Sequence, residues 1–286
     1  MTNIRQMRRK ELDTLISWAA REGWNPGLHD AELFWAADPD GFLALEVDGC
    51  LAGGGAIVRH NASYGFMGLF IVLPEFRGRG YGTKLWYARR DRLRERLGAE
   101  GVIGLDAVDA MIPFYARGGF NVCTRHRRYR WEPTDGLRLP SVTLPVTDLR
   151  TADRQQIEEL DRECFSGGRG EFLHAWIAQP DSEALGVVTG AGLQGMGVMR
   201  RCEQGWKIGP LFARAPEVSE ALMSAFGRRS GGSPVFVDVP DNNPAAGEYC
   251  RQAGMQEVFG CVRMYPGDPP PVRNSHIFGI TTLETG

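Results

Sequence analysis

The feature that most constrains this chain is the segment Arg77-Gly78-Arg79-Gly80-Tyr81-Gly82, which joins an apolar run (66–73) to an amphipathic, arginine-rich run (83–97). The apolar run predicts a strand, and the amphipathic run predicts a helix. A glycine-dense turn between them leaves backbone N–H groups unhindered at the positive end of the helix dipole, where anions bind. The segment therefore predicts a phosphate or pyrophosphate ligand.

Two common phosphate-binding loops do not fit this spacing. A Walker loop ends in Gly-Lys-Ser/Thr, whereas Gly82 is followed by Thr83-Lys84 in the reverse order. A dinucleotide loop has the pattern Gly-x-Gly-x-x-Gly with an acidic residue about 20 positions later. Here the glycines alternate with other residues, and the chain that follows is basic.

A third pattern fits. Arg-x-x-Gly-x-Gly after a strand ending in Val-x-Pro-Glu resembles the acyl-CoA loop of the GNAT acetyltransferases, with Arg77, Gly80 and Gly82 at its fixed positions. A later segment, Tyr-x-x-x-Gly-Phe from Tyr115, resembles the second hallmark of that family. The resemblance covers about residues 3–132 and departs from the family at Val108, which replaces an asparagine.

The resemblance implies acetyl transfer from acetyl-CoA to an amine acceptor by direct attack in a ternary complex. It implies that one set of residues binds the cofactor: Phe70, Ile71, Val72, Arg77, Gly78, Arg79, Gly80, Tyr81, Gly82 and Thr83. It also implies that Tyr115 is the general acid for the departing thiolate. As the base we expect Asp106, with Glu22, Asp30 or a path through water as alternatives.

After a proline-bearing segment (137–145), the order of elements begins again. The run 235–239 parallels the strand that carries Asp106, and the run 242–255 parallels the Tyr115 helix. At the loop position the chain has Gly209-Pro210, and proline has no amide to donate. Cys250 takes the tyrosine position. With Gly-Met-Gly-Val-Met-Arg (195–200), Gly-Pro-Leu-Phe-Ala (209–213) and the closing Ile-Phe-Gly-Ile-Thr-Thr-Leu-Glu (277–284), this half resembles the C-terminal domain of the YitH-like tandem acetyltransferases.

These patterns predict an α/β protein with mixed sheets, built from two tandem GNAT-like domains of which the second is degenerate. We expect a catalytic domain at 1–136 and an acceptor-binding or lid domain at 145–286. The predicted acceptor contacts are Trp24, Asn25, Arg169 and Arg200. A chain that lacks 140–286 is expected to bind acetyl-CoA without turning over an acceptor.

Composition restricts the partners. A formal net charge of −2 gives no electrostatic basis for binding nucleic acid or an anionic membrane. Six scattered cysteines without a Cys-x-x-Cys pair predict reduced thiols rather than a zinc site or a disulfide framework, so no metal is expected. The polar N-terminus and the lack of an 18-residue apolar run favour the cytoplasm. The acceptor would be a small-molecule or peptide amine. The alternative function is a CoA-sensing binding protein with a regulatory second half.

Overall fold

The computed structural model describes residues 1–132 and 144–286. The elements of the first half are, in chain order, β1 (Thr2–Gln6), α1 (Arg9–Arg21), α2 (Asp30–Ala37), β2 (Phe42–Val47), β3 (Cys50–Ala56), β4 (Val58–Arg59), β5 (Tyr64–Met67), β6 (Ile71–Val72), α3 (Tyr81–Leu97), β7 (Val102–Ala107), α4 (Ile112–Arg117) and β8 (Asn121–Trp131). Those of the second half are β9 (Val146–Asp148), α5 (Arg154–Cys164), α6 (Gly170–Ala178), β10 (Ser182–Thr189), β11 (Gly192–Arg201), β12 (Trp206–Ala213), α7 (Pro216–Arg229), β13 (Val235–Pro240), α8 (Pro244–Gln252), β14 (Gln256–Tyr265) and β15 (Ile277–Gly279). The repeated order of elements predicted from the sequence is confirmed.

The strands of the described residues form two sheets, of which the smaller is antiparallel and the larger is mixed. The smaller has the order β1-β2-β3-β6, and the larger runs β4-β5-β7-β14-β8-β13-β12-β11-β10-β9, with β15 beside β12. The last strands of the two halves are exchanged: β14 lies between β7 and β8, and β8 pairs with β13. Both neighbours of β8 therefore come from the other half of the chain.

This exchange changes what the predicted domains mean. The proposed boundary near 136–145 falls largely outside the described residues and stays a prediction. However, a chain cut at residue 140 would leave β8 without either neighbour and β7 without β14. Unpaired backbone groups and an uncovered apolar strand are both costly. The expectation that the first half alone would bind acetyl-CoA does not fit this topology.

The predicted apolar strand 66–73 is split. Its first part, β5, pairs in parallel with β7 of the large sheet, while its second part, β6, pairs with β3 of the small sheet. Between them Leu69 has a positive φ of 48°. Because the chain crosses from one sheet to the other here, the two sheets separate and leave a wedge-shaped opening.

The buried Arg89 of α3 stabilises this split. Its guanidinium donates to the carbonyls of Ala56 and Gly68, both at 2.6 Å, and lies 4.9 Å from the centre of the Phe70 ring. The absence of a side chain at Gly55 gives the guanidinium room. Burial lowers the pKa of Arg89 to about 10, so it stays a cation at neutral pH and holds both sides of the split.

The six cysteines are free, and all except Cys50 and Cys123 are buried. Within residues 1–132 and 144–286, no helix has both the length and the apolar character that crossing a membrane requires.

Candidate active site

A cleft of about 560 Å³ opens where β5 and β6 separate. Most predicted site residues share it, and residues from the far end of the chain join them. The lining comprises Glu22, Trp24, Met67, Gly68, Leu69, Phe70, Ile71, Val72, Arg77, Gly78, Gly80, Gly82, Thr83, Asp106, Val108, Met111, Phe114, Tyr115, Phe259, Cys261, Leu283 and Glu284. Five predicted site residues do not line it: Arg79, Tyr81, Asn25, Arg169 and Arg200.

The glycine loop leads directly into α3. Gly78 and Gly80 have φ values of 75° and 78°, which side chains other than glycine rarely adopt. The helix begins at Tyr81 without a side-chain cap, and its backbone bonds begin with Lys84 N–H to Gly80 O at 3.1 Å. The preceding first-turn amides therefore remain available for an anion, as the sequence predicts.

Arg77 has a different immediate role from the one expected. Its half-exposed side chain donates from Nε to the Val72 carbonyl at 2.7 Å and from Nη2 to Glu22 Oε1 at 2.6 Å. These bonds connect the loop to the end of β6 and to the C-terminal end of α1. Arg77 thus supports the wall of the cleft in this structure, and its guanidinium is occupied by protein groups.

Tyr115 lines the cleft and is 6% exposed. Its ring packs against Trp86 at 4.9 Å and Phe114 at 5.4 Å between ring centres. Burial raises the pKa of Tyr115 to about 12, so the phenol carries its proton at neutral pH. A neutral hydroxyl facing a cleft can donate a proton to a developing anion.

Asp106 is held in an internal ion pair. Both its oxygens accept from Arg263 of the exchanged strand β14, at 2.6 and 2.8 Å. The alternatives are paired too: Glu22 with Arg77, and the buried Asp30 with Arg200 at 2.9 Å. Burial alone would raise the pKa of Asp30, but the Arg200 guanidinium holds it below its usual value. We therefore do not assign these carboxylates as bases.

Two of the four predicted acceptor contacts, Asn25 and Arg200, join the two halves. Trp24 lines the cleft, but Asn25 exchanges two 2.9 Å hydrogen bonds with the backbone of Gln204. Arg169 is buried against Asp161 at 2.8 Å, and Arg200 is buried against Asp30. These arginines are internal because their side chains neutralise buried carboxylates, which one sequence cannot reveal.

Sequence reasoning missed two groups of lining residues: Met67, Gly68, Leu69, Met111 and Phe114 beside predicted positions of the first half, and four residues of the second half. Phe259 and Cys261 reach the cleft because β14 is exchanged, and Leu283 and Glu284 reach it from the segment after β15. The closing run Ile-Phe-Gly-Ile-Thr-Thr-Leu-Glu was noticeable only as part of the resemblance to YitH-like domains. Its place in the cleft depends on contacts more than 200 residues apart in the chain, such as the His60 Nε2 contact with the Thr285 carbonyl at 2.6 Å.

Two family models match successive parts of the chain. The model described as the acetyltransferase (GNAT) family matches residues 9–120, and one described as an acetyltransferase (GNAT) domain matches residues 157–279. A curated relative, holothin acyltransferase of Pseudoalteromonas sp. (strain SANK 73390), is 26% identical over 280 residues, which are 97% of this chain and 92% of the relative.

Solved structures show the same fold. A putative acetyltransferase from Pyrococcus horikoshii has a TM-score of 0.82 at 22% identity and covers 100% of this chain and 96% of its own. A tandem GNAT protein from the clavulanic acid biosynthesis pathway has a TM-score of 0.65 at 14% identity, with coverage of 94% and 100%. The split strand, the loop at the start of α3 and the matches to both halves agree, and the chain is a tandem-domain acyltransferase of the GNAT superfamily.

Proposed function

We propose that this protein transfers an acetyl group from acetyl-CoA to an amine acceptor by direct attack in a ternary complex. The observation that carries the proposal is the shared cleft of the split strand, the α3 N-terminus and the protonated Tyr115 hydroxyl. The loop supplies free amides and the positive end of a helix dipole for the pyrophosphate. That the acyl group is acetyl and that the acceptor is an amine are parts of the same proposal.

Each wall of the cleft has a separate task in this mechanism. The backbone where the strand splits, at Phe70 and Ile71, binds the pantetheine arm, and an amide there polarises the thioester carbonyl. A preorganised donor of this kind contributes roughly 2–4 kcal/mol where it has been isolated. Tyr115 Oη gives its proton to the thiolate that leaves when the tetrahedral intermediate collapses.

The first prediction concerns Tyr115. Tyr115→Phe removes the donor and keeps the ring, so we expect kcat to fall on the order of 10²-fold or more while the Kd for acetyl-CoA changes less than about threefold. Thiol release measured over a panel of amines, with holothin included because of the matching relative, gives kcat, and calorimetry gives Kd. Unchanged turnover would remove Tyr115 from the proton path.

The same panel separates the two candidate functions. Saturable acetyl-CoA binding together with acceptor-dependent thiol release supports the transferase. Saturable binding without release on any amine would favour the sensing protein, in which the second half carries the regulatory ligand.

A further inference from the structure

We propose that Glu284 binds the acceptor's ammonium group and takes its proton, an inference that rests on the proposed amine transfer. The segment that carries this residue is buried: Thr282 is 1% exposed and Glu284 is 2% exposed. It lies against the point where the strand splits, because a Cβ at Gly68 would overlap the Glu284 carbonyl. The second half thus places an acidic residue beside the opening in the first half.

Glu284 differs from the other acids of the cleft. Glu22 pairs with Arg77 and Asp106 pairs with Arg263, each at 2.6 Å. Within the part of the chain that the structure describes, Glu284 lies within 4 Å of no cationic group, and its carboxylate accepts from the Thr282 hydroxyl. It is therefore the carboxylate of this lining whose charge is not already neutralised by an arginine in contact with it.

The charges around Glu284 explain how a buried carboxylate is tolerated there. The ionisable groups within electrostatic range of Glu284 are the Lys207, Arg128 and Arg200 cations and the Cys202 thiol. Two of these cations already have carboxylate partners, Asp238 for Arg128 and Asp30 for Arg200. The third, Lys207, is the charge that matches Glu284.

Lys207 compensates Glu284 from a distance. Its buried ammonium donates to the Trp24 carbonyl at 3.1 Å rather than contacting the carboxylate. Burial lowers the pKa of Lys207 and the neighbouring Arg128 lowers it further, whereas Glu284 raises it. A buried charge is costly unless an opposite charge is near. Here the opposite charge lowers that cost without contacting the carboxylate, and among the described residues only Oε2 of Glu284 accepts a side-chain hydrogen bond, from Thr282.

The lining also indicates the class of acceptor. Trp24, Phe259 and Leu283 give the cleft apolar walls near Glu284. One carboxylate can neutralise one ammonium, and a second cation on the acceptor would find the other carboxylates of the lining, Glu22 and Asp106, already paired with arginines. The arrangement favours a primary amine with a single positive charge and an apolar body over a polyamine.

The protons balance in this scheme. Glu284 takes one proton from the bound ammonium, and the neutral amine nitrogen forms a bond to the thioester carbon. The C–S bond then breaks, the sulfur takes the Tyr115 proton, and the phenolate takes the second proton from nitrogen. The products are the amide and the free thiol, and Glu284 releases its proton to solvent.

The test compares Glu284→Gln with wild type on the best acceptor of a panel containing phenethylamine, butylamine, lysine and spermidine. We expect kcat/KM for the amine to fall at least about 100-fold, the Kd for acetyl-CoA to change less than threefold, and the dependence of kcat/KM on an acidic group to disappear from the pH profile. Wild type should prefer phenethylamine or butylamine to spermidine.

Controls separate structure from chemistry. Glu284→Asp keeps the charge and should recover at least tenfold over Glu284→Gln, whereas the exposed Glu248→Gln should match wild type. Thermal unfolding checks that each variant folds, and if the Gln variant does not, the Asp variant and its pH profile decide. If wild type turns over an amine and Glu284→Gln keeps both this activity and the wild-type pH profile, the role of Glu284 is overturned and the proposed function stands. Wild type that turns over no amine overturns the proposed function itself.

Discussion

The two halves of the chain differ in structure at the same junction, where a strand is followed by a helix. In the first half the strand splits at Leu69, an eight-residue connection (73–80) follows β6, and α3 begins uncapped. In the second half β12 is continuous through Ala213, and α7 begins at Pro216 after two connecting residues. The first junction presents free amides to a cleft, and the second presents a proline.

The structure adds a reason that the sequence did not contain. In the second half the space beside β12 is taken by β15, which pairs with Leu211 and Phe212. The residues after β15 pass so close to Gly209 that a Cβ there would overlap the Thr281 carbonyl. The same segment then continues to the first-half cleft. One half thus fills its own opening with a segment that completes the opening of the other.

The largest effect is expected from a substitution at the contact between the two halves. Arg263→Met removes the cation from a buried pair and leaves Asp106 uncompensated between β7 and β14. We expect a loss of about 3–5 kcal/mol in the free energy of unfolding, measured by urea denaturation.

A matched exposed pair provides the control. Arg127→Met removes the ion pairs of β8 with Asp241 and Glu257, all of which are partly exposed, and should cost less than about 1 kcal/mol. Equal losses for the two variants would mean that the exchanged strands are not held by the buried pair.

Two histidines at the contact between the two halves make the free energy of unfolding depend on pH. Burial lowers the pKa of His60 to about 3 and that of His126 to about 4. Since an unfolded histidine titrates near 6.5, the unfolded chain binds more protons below that pH. The stabilisation is complete above pH 6.5 and is lost as the pH falls toward 4, by about 2 kcal/mol per histidine at pH 5.

The measurement is the free energy of unfolding from pH 8 to pH 5. His126→Met should reduce the slope between pH 6.5 and 5 and leave it unchanged near pH 8. A variant with the full wild-type slope would show that His126 is charged or exposed in the folded protein.

The smallest effect tests the glycine loop of the first half against a glycine after α8 in the second half. Gly80→Ala puts a side chain at a φ of 78°, which costs about 1–2 kcal/mol of strain at the loop and should weaken acetyl-CoA binding on the order of tenfold. Gly254→Ala introduces similar strain in the second half, at a φ of 70°. It should cost similar stability and leave the Kd unchanged. A weaker Kd in both variants would mean that the loss is not specific to the loop.

Sequence reasoning went furthest where function depends on local backbone. The loop residues Gly78 and Gly80 adopt the left-handed conformation that their spacing suggests, and Tyr115 faces the same cleft. It failed for charged side chains. Arg169 and Arg200 were predicted to contact a ligand because both are polar. In the structure they are buried against carboxylates that lie 8 and 170 positions away in the chain.

The sequence by itself determined the α/β elements, their repetition, the loop at the start of α3 and the absence of such a loop in the second half, because these depend on residues within a few positions of one another. Only the tertiary structure decided that β8 and β14 are exchanged, that Asp106 is paired with Arg263, and that Glu284 enters the cleft. Pairing between distant strands and compensation of buried charge depend on which surfaces meet. No local pattern specifies that choice.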